Sequence, residues 1–208
     1  MLWPVLAMAL LVTGLADPIT AAIERYRTVE SYQVTLRASG SDNAVEVIRY
    51  YYQRPGFVRM EFVQPHKGAV LIYNPQSRDV RLWPFGYRRF PSLTLSPGNP
   101  LIRSRHGERV DRSDVGALFD NVRALQQKGD TAILGEEPLG KWQTVHVLVA
   151  GRDDHTVGSV HRYHLWLERA TLFPLKVVSR NRSDELIESV LMDDVEINIR
   201  FPDGFFSP

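Results

Sequence analysis

From Ser31 onwards apolar and polar side chains alternate in short runs, each closed by a turn signal. The first set comprises Ser31–Ala38, Val45–Gln53, Phe57–Val63, Gly68–Tyr73 and Asp79–Trp83. Turns at Arg54-Pro55-Gly56 and Asn74-Pro75, and the boundaries at Pro65 and Pro84, give these runs the spacing of hairpins. A second set occupies the last third: Thr131–Gly135, Trp142–Val149, Val160–Leu167, Leu175–Arg180, Glu185–Met192 and Val195–Phe201. Glu137–Gly140, Gly151–Gly158, Phe173-Pro174 and Asn181–Asp184 are the turns between them. Two segments have helical period instead. Asp17 caps the first and Pro18 suits its first turn, with Ile19, Ala22, Ile23, Tyr26 and Val29 as its apolar stripe. The second spans 113–128, capped by Ser113 or Asp114, striped by Val115, Leu118, Phe119, Val122 and Leu125, and ended by Gly129. Eleven strands without regular helical crossovers predict one antiparallel sheet, which at that size tends to curl. The fold expected is mainly β (α+β): a curved antiparallel half-barrel whose concave face is covered by the helices, with an interior filled or open for a ligand.

Residues 2–16 change the picture at the N-terminus. They carry no charge, are too few to span a bilayer comfortably, and end Gly14-Leu15-Ala16, with small residues placed for cleavage after Ala16. Residues 1–16 read as a secretory signal peptide, although no Lys or Arg precedes the apolar run; a buried N-terminal helix is the alternative. Residues 17–208 are then a single domain, exported to the periplasm. No cysteine follows, so no lipid anchor of the bacterial lipoprotein kind can be attached there.

Composition excludes several classes. With 44% hydrophobic and 24% charged residues the chain is neither disordered nor a multi-span membrane protein. Absence of cysteine removes disulfides, thiolate metal sites and Cys nucleophiles. A net charge of +1 gives no global argument for nucleic acid, and none is expected as a partner. No catalytic residue, metal site or cofactor is assigned. His161 and His164, three apart in a strand, face opposite sides and cannot chelate together. Asp153-Asp154-His155 is a solvated turn with at most weak cation binding. Gly158-Ser159-Val160-His161 lacks the second glycine of a nucleophile elbow.

Residues 84–112 break the strand pattern with four prolines, Pro84, Pro91, Pro97 and Pro100, and a long loop is expected. Arginine accumulates here: Arg78, Arg81, Arg88, Arg89, Arg103, Arg105, Arg109 and Arg112 stand against Asp79, Glu108 and Asp111, a local balance of +5. With Trp83, Phe85, Tyr87 and Phe90 nearby, a membrane or partner surface built on Arg81, Arg88, Arg89, Arg103 and Arg105 is one reading; a solvated loop with Arg–Asp pairs is the other.

Gln53-Arg54-Pro55-Gly56-Phe57-Val58-Arg59-Met60-Glu61-Phe62-Val63-Gln64-Pro65 resembles the hairpin of the LolA-type outer-membrane lipoprotein-sorting proteins. Leu71-Ile72-Tyr73-Asn74-Pro75 with Val80-Arg81-Leu82-Trp83 is similar to the next hairpin of that family. Leu165-Trp166-Leu167 before Leu172-Phe173-Pro174-Leu175-Lys176-Val177, and Asp193-Asp194-Val195-Glu196-Ile197-Asn198 with Phe201-Pro202-Asp203-Gly204-Phe205-Phe206, resemble its C-terminal strands. The order of these motifs covers most of the chain. Gly68-Ala69-Val70 departs from the Asp-Gly that carrier members show there, which marks a divergent member. The resemblance implies a non-enzymatic periplasmic carrier that holds acyl chains of lipoproteins or lipids in an apolar half-barrel cavity, for transfer towards the outer membrane. Val58, Met60, Phe62, Val70, Ile72, Leu118 and Val122 would be its lipid-binding residues. Arg54 matches the family's lid-contact arginine, and the 113–128 helix would act as the lid. The expected partners are acylated cargo, inner- and outer-membrane envelope proteins and transient membrane contact, for a monomer. The alternative is a non-catalytic lipid or lipoprotein sensor or interaction module of the envelope with the same fold.

Overall fold

The computed structural model describes residues 17–42, 44–104 and 107–207; the expected signal peptide lies outside the described residues. Eleven strands form one antiparallel sheet with two helices on one face. The strands are β1 (Ser31–Gly40), β2 (Val45–Gln53), β3 (Phe57–Gln64), β4 (Val70–Asn74), β5 (Asp79–Trp83), β6 (Leu93–Leu95), β7 (Gly129–Leu139), β8 (Trp142–Gly151), β9 (Arg162–Glu168), β10 (Pro174–Arg180) and β11 (Leu186–Ile197). Helix α1 (Pro18–Tyr26) precedes β1, and α2 (Val115–Gln126) lies between β6 and β7. The order across the sheet is β6-β5-β4-β3-β2-β1-β11-β10-β9-β8-β7. Two hairpin meanders therefore meet where β1 pairs with β11. The sheet does not close, and its concave side takes both helices, as expected of the LolA-like half-barrel.

Both helices begin where the caps predict. The Asp17 carboxylate accepts from the Thr20 amide at 2.9 Å, and the Asp114 carboxylate accepts from the Gly116 and Ala117 amides. Gln126 donates to Asp17 at 2.8 Å, tying the end of α2 to the start of α1. Ile19 and Ala22 of α1 and Phe119, Val122 and Leu125 of α2 pack on Val147, Val149, Leu165 and Leu167 in one core. Burial of each of these side chains except the small Ala22 contributes roughly 1.5–3 kcal/mol.

Strand membership differs from expectation in three places. β11 is one strand rather than two: Asp194 takes a φ of 52°, the register slips opposite Gln33 and Thr35, and β1 remains the partner on both sides of this bulge. β7 runs through Glu137-Pro138-Leu139 instead of turning there. It is an edge strand, so Pro138 has an open side for its missing N–H, and the turn falls at Gly140-Lys141, where Gly140 has a φ of 59°. β6, three residues inside the proline-rich stretch, was not expected; its pairing with β5 gives it order that its own sequence does not signal.

Candidate functional site

A cavity of about 430 Å³ lies between the middle of the sheet and the start of α2. β1, β2 and β3 supply its floor through Val34, Leu36, Ile48, Met60 and Phe62, and β11 adds Val190 and Met192. Leu118 of α2 and Val110 form the roof with Ile102, Arg103 and Ser104 of the connecting segment. Four carboxylates, Glu46, Glu108, Asp114 and Glu188, share the wall, Asp114 as the cap of α2. Burial, then the neighbouring Glu108 and Glu46 charges, push Glu188 up to about 7.

Register explains which expected residues meet there. Tyr73 lies opposite Val58 and Leu71 opposite Met60, and directly opposite residues share a face. Val58 and Met60 thus face the concave side, with Phe62 continuing the row. Met60, Phe62 and Leu118 line the cavity; Val58 and Val122 are buried in the core beside it. Val70 and Ile72 fall on the outer face, contrary to the expected single lining. There they form a second apolar cluster with Trp83 and Phe206, flanked by Tyr51, Phe57, Phe201 and Phe205. The C-terminal segment makes that outer core: Arg59 is sandwiched between the Tyr87 and Phe205 rings at 4.6 and 4.4 Å, pairs with Glu61 at 2.7 Å and donates to the Phe205 carbonyl.

Arg54 behaves as a tie for α1. Its Nε donates to the Val29 carbonyl at 2.7 Å, and one Nη donates to the Tyr26 and Arg27 carbonyls at 3.2 and 3.0 Å. The Tyr26 carbonyl also accepts from the Val29 amide at 3.0 Å, and the guanidinium fork gathers it with the Arg27 and Val29 carbonyls just past the negative end of the helix. α2 is held more firmly than a moving lid would be. The Tyr32 hydroxyl accepts from the Val115 amide at 3.1 Å, the Tyr26 hydroxyl donates to Asp114 at 3.1 Å, and the Tyr50 hydroxyl meets Ser113 at 3.0 Å. Tyr32 stacks on Tyr50 and Tyr52, and burial pushes all these phenols up, so they stay neutral. The described parts of the connecting segment, 96–104 and 107–112, cover the cavity with single turns of 3-10 helix, and the side-chain hydrogen bonds between Asn99 and Leu101, Arg103 and Gly98, Ser104 and Glu108, and Arg109 and Asp111 are local to the segment.

The arginines divide. Arg109 pairs with Asp111 and Arg112 with Asp120, as a solvated loop would. Arg81 lies half-buried beside Ser92, and Arg103 donates to the Gly98 carbonyl. Arg88 and Arg89 are exposed, and Arg105 lies outside the described residues. The Asp153–His155 turn is engaged by Arg182 through Asp154, and among the described residues no group of three or more His, Asp or Glu is placed to hold a metal ion.

One cluster escaped the sequence altogether. On the outer face His146 Nε2 meets His164 Nδ1 at 3.0 Å, His146 Nδ1 lies 3.2 Å from Glu137, and Trp166 stacks on His146. Burial holds both imidazoles below the ordinary range, and the pair stays neutral near neutrality. The two histidines are 18 residues apart, and only the β8–β9 register brings them together.

Neither a family model nor a curated protein matches the chain. Solved structures do match its fold. The lipoprotein LppX of Mycobacterium tuberculosis is 10% identical, with 90% of this chain and 99% of that one covered, at a TM-score of 0.54. MucB in its complex with MucA from Pseudomonas aeruginosa is 18% identical at a TM-score of 0.53; 92% of this chain corresponds to 60% of that one. An uncharacterised conserved protein of Thermus thermophilus is 12% identical, with 90% and 96% covered, at a TM-score of 0.53. At these identities the likeness is one of fold. Among the described residues no helix is long and apolar enough to cross a membrane.

Proposed function

We propose that the protein is a periplasmic carrier that holds an acyl chain of a lipoprotein or lipid in the concave cavity, for transfer towards the outer membrane. The carrying observation is the cavity of about 430 Å³ floored by Leu36, Ile48, Met60 and Phe62 and roofed by Leu118. That volume lies in the range of small-ligand sites. Exposing a chain of about fifteen methylenes to water costs on the order of 12 kcal/mol, so a shuttle must cover most of it and still release it. Met60 and Met192 suit a floor that adapts to different chains. Release is assigned to the cavity cover formed by Ile102, Arg103 and Val110 rather than to α2, because α2 is fixed by three tyrosine hydroxyls.

The test is native mass spectrometry and lipid extraction of residues 17–208 produced in a bacterial periplasm, followed by titration with a fluorescent acyl probe. Acylated species should co-purify, and Met60→Glu with Phe62→Glu should abolish both their recovery and probe uptake. A folded protein that is empty and takes up no probe overturns the carrier. The second reading, a sensor that presents its state to a protein partner, is favoured by the likeness to MucB, solved with MucA bound. It predicts cargo that alters binding of a partner without being handed on.

A further inference from the structure

The turn after β3 and the segment after β5 leave the sheet at one rim, because Val70 at the start of β4 lies opposite both Glu61 and Trp83. β2 begins at this rim as well, its Val47 opposite Gln64. Here apolar side chains stand in solvent: Phe90 is 93% exposed, Phe85 67%, Val63 41% and Val45 41%. Their exposure does not come from a loose loop. Tyr87, between Phe85 and Phe90, donates to the Ser207 carbonyl at 2.9 Å, packs edge-on against Trp83 at 5.2 Å and covers the buried Arg59 guanidinium. With Tyr87 fastened to the outer core, Phe85, Arg88, Arg89 and Phe90 are presented outwards.

The chain that carries them is almost entirely of one sign. From Phe62 to Gly107 the only acidic residue is Asp79, at the far end of β5, against Lys67 and six arginines. Lys67, Arg88 and Arg89 are exposed, and among the described residues none of them is ion-paired. Of the acidic residues near this rim, Glu61 is paired with Arg59 at 2.7 Å, Glu46 lines the cavity on the concave face, and Asp42, Asp184 and Glu185 belong to the β1–β2 and β10–β11 turns on the other side of β2. Exposed phenylalanines beside cations that form no ion pair among the described residues, with Arg88 lying over the Tyr87 ring at 5.1 Å, match the interface of an anionic bilayer, where rings sit at headgroup depth and guanidinium groups reach phosphates. An acidic protein surface would satisfy the charges but not a Phe90 ring that projects from the fold. Phe62, the last cavity residue of β3, adjoins Val63 at this rim, so docking there sets one end of the cavity near the lipid surface.

We infer that the corner formed by Lys67, Phe85, Arg88, Arg89 and Phe90 docks reversibly on membranes rich in anionic lipid. This rests on the carrier reading for its purpose, but not for its test. Residues 17–208 are co-sedimented with vesicles of phosphatidylcholine alone and with about 30% phosphatidylglycerol, at low and high salt, beside the acyl-probe titration. Binding should require phosphatidylglycerol and weaken with salt. Arg88→Glu with Arg89→Glu should reduce it more than tenfold, at about fivefold per charge near the surface. Phe85→Ser with Phe90→Ser should reduce it about tenfold through lost apolar burial. These exposed substitutions should leave melting temperature and probe uptake unchanged. Vesicle binding without probe uptake supports the docking corner and sinks the carrier. Probe uptake with no preference for phosphatidylglycerol, or with variants that bind vesicles like the parent, overturns the docking corner and leaves an acidic protein partner as its occupant.

Discussion

Burial beside Glu46 and Glu108 lifts Glu188 from 4.5 to about 7, so the folded chain keeps a proton that the unfolded chain has lost. The stabilisation from this group is complete below about 4.5 and is lost as pH rises through about 7, about 3 kcal/mol in all. His146 and His164 act in the opposite sense. Their folded values are lowered, so their contribution is present above the ordinary value of 6.5 and falls away in acid. Glu188→Gln separates the two effects. The stability of the variant relative to the parent should rise between about pH 5 and pH 8 by roughly 5–10 °C in melting temperature. A difference that does not change with pH would show that Glu188 ionises as an ordinary glutamate. A carboxyl that is neutral below neutrality also makes the cavity wall less hostile to an acyl chain.

Each helix is secured by side chains that sequence order does not connect. α1 is finished by Arg54, 25 or more residues away, and α2 by hydroxyls from α1, β1 and β2. Arg54→Ala leaves the Tyr26, Arg27 and Val29 carbonyls without their shared donor. Because the side chain is 37% exposed, water replaces part of what is lost. A cost of about 2 kcal/mol, or roughly 4–8 °C in melting temperature, is expected, with faster amide exchange confined to α1 and its junction with β1. Arg54→Lys should recover only part, since one ammonium cannot reproduce the fork. Unchanged exchange in α1 would show that packing of Ile19 and Ala22 alone holds the helix.

At the scale of the molecule the sheet separates two apolar clusters, the concave core with its cavity and an outer core under the C-terminal segment. Phe206 closes the outer one and is 9% exposed. Phe206→Ala should destabilise the fold by about 3 kcal/mol through the void left above Val70 and Ile72. It should leave the affinity for an acyl probe unchanged, because nothing in the cavity moves. A variant that loses probe affinity in proportion to stability would show the two faces to be one cooperative site.

The strands were legible because alternation with period two is a local property, and the helices because Asp17 and Asp114 cap segments of period 3.6. Arg54 and the lining residues Met60, Phe62 and Leu118 could be named for the same reason: each sits in a short motif or a clear stripe. Which face was inside was not legible for Val70 and Ile72. β4 is buried on both sides, so its composition carries no inward signal, and the β3–β4 register alone assigns Leu71 and Tyr73 to the concave side. β6 and the His146–His164 pair likewise exist through pairing between strands, and the outer core exists because a C-terminal segment returns across the sheet to residues far earlier in the chain. The sequence determined by itself both helices with their caps, most of the strands and the class of fold, all set by neighbours within a few residues. Only the tertiary structure decided what the two faces hold, which helix is fastened and where the cavity lies, because those depend on register and on contacts between distant segments.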